Sequence, residues 1–138
     1  MKAKKWKEDL DGLVPLEYIH FKNVPMKASK EGPVIDLDPA TLDRLAAIAV
    51  LIEKIPLRGK EVQFLRKVIG LSMEKFANKL GLSSGTIFHW EKAELDRLAT
   101  VNELAVRSFV AEELGIEISG KFSDLLGDKI HQIFLSAA

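Results

Sequence analysis

The chain has 138 residues, 47% of them hydrophobic, which is enough for a real core in one domain or in one domain with a small appendage. Its 20 basic and 20 acidic residues cancel, which argues against a general polyanion binder. It has no cysteine, which excludes disulfides, thiolate zinc sites and cysteine nucleophiles, and His20, His89 and His131 are too scattered for a histidine metal site. Neither a metal nor a cofactor is expected. No nucleophile–base pair or phosphate loop is visible, so the expectation is that the protein is not an enzyme.

The opening stretch, MKAKKWKEDL, is basic but lacks a following apolar run of signal-peptide length, so a cytoplasmic location is expected. Lys2, Lys4, Lys5 and Lys7 around Trp6 read as a phosphate-binding arm or, more plainly, as a solvated and poorly ordered terminus, since Glu8, Asp9 and Asp11 follow at once. Pro15, Pro25, Gly32 and Pro33 then punctuate the chain, with short extended candidates at Glu17 to Phe21 and Val34 to Leu37. Residues 1–37 thus form a small, partly extended segment held by Leu16, Tyr18, Ile19 and Phe21. His20 reads there as a surface or packed histidine, because no second ligand is near.

A helical domain is expected over 38–138. Asp38-Pro39 is an N-cap followed by proline at the first helical position, and Pro56 stops the helix after about Lys54. Its middle, Leu45 to Ile52, is apolar throughout, yet far short of the roughly 20 residues that span a bilayer. The expected arrangement puts Leu42, Leu45, Ile48 and Ile52 inward and leaves Ala46, Ala47, Ala49 and Val50 for a close-packing partner. A second helix follows over Leu57 to Gly70 with a stripe of Val62, Leu65, Val68 and Ile69. Arg66 and Lys67 lie outside the stripe, as candidates for phosphate contact or as a solvated charged face.

The most informative stretch is LSMEKFANKLGLSSGTIFHWEK, from Leu71 to Lys92. Ser72 is a good N-cap, Phe76, Ala77 and Leu80 follow at helical spacing, and Gly81 stands where a chain leaving a helix needs positive φ. Leu82 anchors the turn, and Ser83 or Ser84 caps a second helix on which Ile87 and Trp90 face inward. This is a helix-turn-helix over 72–92. Its second helix offers solvent Ser84, Gly85, Thr86, Phe88 and His89. The basic residues Arg58, Lys60, Arg66, Lys67, Lys75 and Lys79 cluster around it, whereas Glu91 to Glu117 is mostly acidic.

The string containing Ala77, Gly81, Leu82, Ile87 and Trp90-Glu91 resembles the Cro/repressor (xenobiotic-response-element, XRE) helix-turn-helix family, and Leu57 to Lys92 is most similar to the C-terminal domain of MqsA-type antitoxins. Met73 stands where that family often has Gln, and Ala93 where it often has Gly. The zinc-binding module of such antitoxins has a Val-Pro followed by a Cys-x-x-Cys pair; here Val24-Pro25 is followed by Met26 to Gly32 with no cysteine. The resemblance implies a mainly α protein: a Cro/repressor-like domain with a small extended N-terminal region and additional C-terminal helices.

It also implies a homodimer that binds double-stranded DNA and represses its own promoter, as the antitoxin of a type II toxin-antitoxin operon with a cognate toxin as partner. By position in the motif, Ser84, Gly85, Phe88 and His89 would read bases. Ser83, Thr86, Lys75, Lys79, Arg66 and Lys67 would meet phosphates. His89 can donate to guanine N7 or O6 and Phe88 can pack on a thymine methyl, while Trp90 is expected in the core and Glu91 in an internal ion pair. A different reading keeps the helix-turn-helix as a protein-interaction scaffold that no longer reads DNA.

Further on, Thr100 and Glu103 have the spacing of a capping box, opening a helix with Leu104, Val106, Phe109, Val110 and Leu114 that ends at Gly115. Phe122 to Leu135 reads as a last amphipathic helix.

Overall fold

The computed structural model describes residues 4–137. The chain divides into two compact units: the part up to Ala46 together with the segment from His131, and Ala47–Ile130.

The first unit is built on a sheet. Strands β1 (Lys5–Asp11), β2 (Ile19–Ser29), β3 (Gly32–Ile35) and β4 (Ile133–Ser136) form one mixed four-stranded sheet. The long β2 is its spine. β1 runs antiparallel along one edge, with Lys5 opposite Lys27 and Asp11 opposite His20. β3 and β4 share the other edge, β3 antiparallel beside Met26–Ser29 and β4 parallel beside Ile19–Lys22.

Period-two alternation in β2 buries Ile19, Phe21, Val24 and Met26 on one face. The extra residue between Phe21 and Val24 is taken up at Asn23, whose φ of 57° marks a bulge and whose N–H donates to Asp9 Oδ1 at 3.0 Å. Leu16, Tyr18, Ile19 and Phe21 are buried, as the sequence led us to expect.

Helix α1 (Pro39–Ile52) begins as predicted, the Ala40 N–H donating to Asp38 Oδ1 at 3.0 Å. Leu42 is buried as expected and Leu45 and Ile48 are partly so, but the rest departs from expectation. Ala46, Ala47, Ala49 and Val50 are buried, whereas Ile52 is 59% exposed. Small side chains let backbones approach closely, and that side won the interior.

The second unit continues with α2 (Gly59–Val68), α3 (Met73–Leu80), α4 (Ser84–Lys92), α5 (Thr100–Leu114) and the short α6 (Phe122–Leu125). Arg107 of α5 is buried and ties the end of α1. One Nη donates to the carbonyls of Val50 and Leu51 at 3.3 and 3.2 Å, and the other to that of Ile55 at 2.6 Å. Val50 and Leu51 lie in the last turn of α1, whose carbonyls have no intrahelical partner, and Ile55 lies just beyond it.

Four expectations are corrected here. The mainly α fold class gives way to two units, one helical and one built on a mixed four-stranded sheet. The opening lysine-rich stretch is largely a paired strand, β1, because Trp6 and Leu10 lie opposite Met26 and Phe21; Lys2 lies outside the described residues.

The capping box at Thr100 does not form. Ala99 is the cap of α5, and the buried Glu103 carboxylate accepts instead from Leu57 N–H at 2.9 Å, Gly127 N–H at 2.8 Å, and Arg97 Nε and Nη2 at 2.9 and 3.1 Å. The expected final helix stops after one turn. Leu126 is extended, Gly127 has no room for a side chain, a Cβ there falling 2.6 Å from Pro56 Cα, and the segment from Ile133 becomes β4.

Candidate nucleic-acid interface

Both short helices of the helix-turn-helix are punctuated by their own side chains. The Ser72 hydroxyl accepts from Lys75 N–H at 3.2 Å at the start of α3. Gly81 ends that helix at φ 71°, where a side chain would be strained, and turns the chain so that Leu82 N–H reaches the Ala77 carbonyl at 2.9 Å. Ser83 caps α4, accepting from Thr86 N–H at 3.3 Å, and its hydroxyl lies 3.0 Å from that of Thr86.

α4 is fixed from beneath. Ile87 is fully buried, as are Phe76 and Ala77 of α3. Glu91 is buried and receives Arg66 in a two-pronged pair, Nε to Oε2 at 2.6 Å and Nη2 to Oε1 at 2.8 Å. The third guanidinium nitrogen of Arg66, Nη1, donates to the Leu71 carbonyl at 2.9 Å, so one side chain holds α2, the turn before α3, and α4. The hydrogen bond to Glu91 raises the Arg66 pKa, against burial, and the charge of Glu91 adds to it. Close packing also needs Gly59 at the start of α2, where a Cβ would lie 1.8 Å from the Trp90 carbonyl oxygen.

The outer surface of α4 is open. Ser83, Ser84, Gly85, Phe88 and His89 are exposed and Thr86 is partly so. Among the described residues, nothing but the Ser83 hydroxyl, at 3.8 Å, stands near a Cβ added at Gly85. Phe88 is 49% exposed, with the His89 ring edge-on at 5.8 Å and Lys92 Nζ over its face at 6.0 Å.

Shallow grooves flank the helix: one of about 380 Å³ between Gln63, Met73, Phe88 and Lys92, another of about 300 Å³ between His89, Trp90, Arg97 and Asn102. Lys67, Lys75 and Lys79 are exposed on α2 and α3.

Of the residues singled out in the sequence, Ser83, Ser84, Gly85, Thr86, Phe88 and His89 are thus brought onto one helical segment. Arg66 is not available to a phosphate: it is buried and committed to Glu91 and Leu71, because a guanidinium turned inward satisfies a carboxylate that would otherwise be buried alone. Trp90 is only half-buried rather than core; Ile87 carries the anchoring. Lys92, four residues after Phe88, shares its helix face and joins this surface. Comparison with protein-family models, curated proteins and solved structures gives no match.

Proposed function

We propose that the protein is a sequence-specific binder of double-stranded DNA that represses transcription by occupying an operator. The observation that carries this reading is the build of α4: Ile87 and Glu91 anchor it while Ser84, Gly85, Phe88 and His89 stand open on its outer side. A single helix fits the major groove, and residues near its N-terminus reach base edges. Small residues there let the helix approach closely, and Lys75 and Lys79, exposed on α3, are the proposed phosphate contacts. Two copies on a two-fold site would double the few base pairs that one helix can read, so a homodimer is part of the proposal.

The narrower role, antitoxin of a toxin-antitoxin operon, rests on the resemblance of Leu57 to Lys92 and is tested by co-purification with the product of the adjacent reading frame.

The central test is binding to a duplex taken from immediately upstream of the protein's own coding sequence, against a random duplex of equal length, over a range of salt. The expected result is preference for the upstream duplex and an affinity whose logarithm falls with log salt at about −0.9 per phosphate contact. Absence of binding to either duplex at low salt overturns the reading and leaves the protein-interaction scaffold in its place.

A further inference from the structure

His20 lies where three strands meet. From β2, its Nδ1 is 2.6 Å from Asp11 Oδ1 on β1, and its Nε2 is 2.5 Å from Oε1 of Gln132, the residue before β4. Its ring stacks on Phe134 of β4, with centroids 4.9 Å apart and planes 21° from parallel.

Both oxygens are acceptors only, and a neutral imidazole has one N–H. The imidazolium alone can donate to both. The hydrogen bonds to Gln132 and to Asp11 raise the His20 pKa; burial opposes them, and the charge of Asp11 adds.

The strand gripped in this way is short and mostly exposed. β4 is four residues long, Ile133 is the one among them that is buried, and Phe134 is 60% exposed. It pairs in parallel with β2, Ile133–Ser136 opposite Ile19–Lys22, and beside that ladder Ile133 N–H donates to the Tyr18 carbonyl at 2.8 Å and Ala137 N–H to the Lys22 carbonyl at 2.9 Å. The charged groups facing His20 are Asp11 from β1 and, on its own strand, Lys22, whose Nζ lies 5.2 Å from the Phe134 centroid; β4 contributes the neutral Gln132 and Phe134.

We propose that His20 is a proton-dependent clasp that docks the C-terminal strand: protonated, it bridges β1, β2 and β4, and on losing its proton it releases β4 and bares the edge of β2 over Ile19–Lys22. The sign follows from linkage. A group whose pKa is raised in the docked state contributes fully at low pH, and its contribution disappears as pH rises through the docked-state value. The released edge would present the carbonyls of Tyr18 and Lys22 to any extended segment able to pair with them.

Amide hydrogen exchange of the full chain between pH 5 and 9, corrected for intrinsic exchange and read beside the His20 ring signals by NMR, tests this. Protection at Ile133 and Ala137 should fall about tenfold for each unit by which docking raises the His20 pKa. Its midpoint should lie above that of an ordinary imidazole, while amides shared by β1 and β2 hold. His20→Gln should give low protection without a pH step, Asp11→Asn should move the midpoint down, and His131→Gln should keep the step.

A flat wild-type profile would overturn the proposal and indicate that the Gln132 amide is turned to donate to a neutral ring. A step surviving in His20→Gln, or vanishing in His131→Gln, would overturn it as well. Should His20→Gln fail to fold, the Asp11→Asn midpoint and the wild-type ring titration decide.

Discussion

Arg66 and Glu91 face each other as a planar fork on a carboxylate, at 2.6 and 2.8 Å, in the interior beneath α4. Removing one partner leaves the other buried and unpaired. Arg66→Ala or Glu91→Ala should therefore each cost about 3–5 kcal/mol in urea denaturation. Replacing both by apolar residues of similar volume, Arg66→Met with Glu91→Leu, should cost less than the sum of the two single changes.

Two glycines of the same region should respond in opposite ways. At Gly59 a Cβ would stand 1.8 Å from the Trp90 carbonyl oxygen, a backbone atom that cannot swing aside. Gly59→Ala should lower the thermal midpoint sharply, with the loss at or above the roughly 3 kcal/mol end of ordinary point-mutation effects. At Gly85 the space is open, so Gly85→Ala should gain about 0.5–1 kcal/mol from helix propensity. On the proposed function, the same change should weaken operator binding by holding the helix off the duplex.

On that function His89 and Lys75 also separate. His89→Ala should cost about 1–3 kcal/mol on the best site and relax base preference, while Lys75→Ala should weaken all sequences alike and reduce the salt slope by about one. Competition binding with single-base operator variants reads both effects. Equal losses on operator and random duplex for His89→Ala would remove it from base reading.

Glu103 supplies an acid-side prediction. Burial pushes its carboxyl up, but hydrogen bonds from Arg97, Gly127 and Leu57, helped by the Arg97 charge, outweigh burial and leave it below the ordinary carboxylate range. Its stabilising effect is then present above the unfolded-state value and lost as pH falls through the folded one. Glu103→Gln should be less stable than the wild type at neutral pH by about 1–3 kcal/mol. The gap should narrow on acidification, as followed by denaturation at stepped pH.

The two short helices α3 and α4 and the turn between them were legible because their signals are local: Ser72 and Ser83 as caps, Gly81 at positive φ, and Phe76, Ala77 and Ile87 at helical spacing all act within a few residues. The sheet was only half legible. β2 shows its alternation, but β1 is polar outside Trp6 and Leu10, and its strand character comes from pairing with residues 9–22 positions away.

Phe122 to Leu135 has apolar residues that suit a helix, and only tertiary contacts at Gly127 and Tyr18 decide otherwise. The burial of Arg66 was half hidden: Glu91 reads as a member of an internal ion pair, but no local signal names Arg66, 25 residues away, as its partner.

The parallel pairing of Ile133–Ser136 with Ile19–Lys22 also sets an order of events on the ribosome. β2 is translated long before the strand that completes its edge, and everything from Ala47 to Ile130 emerges in between. The helical part is therefore synthesised as an insertion, free to fold while half of that edge is still bare, and the sheet closes last.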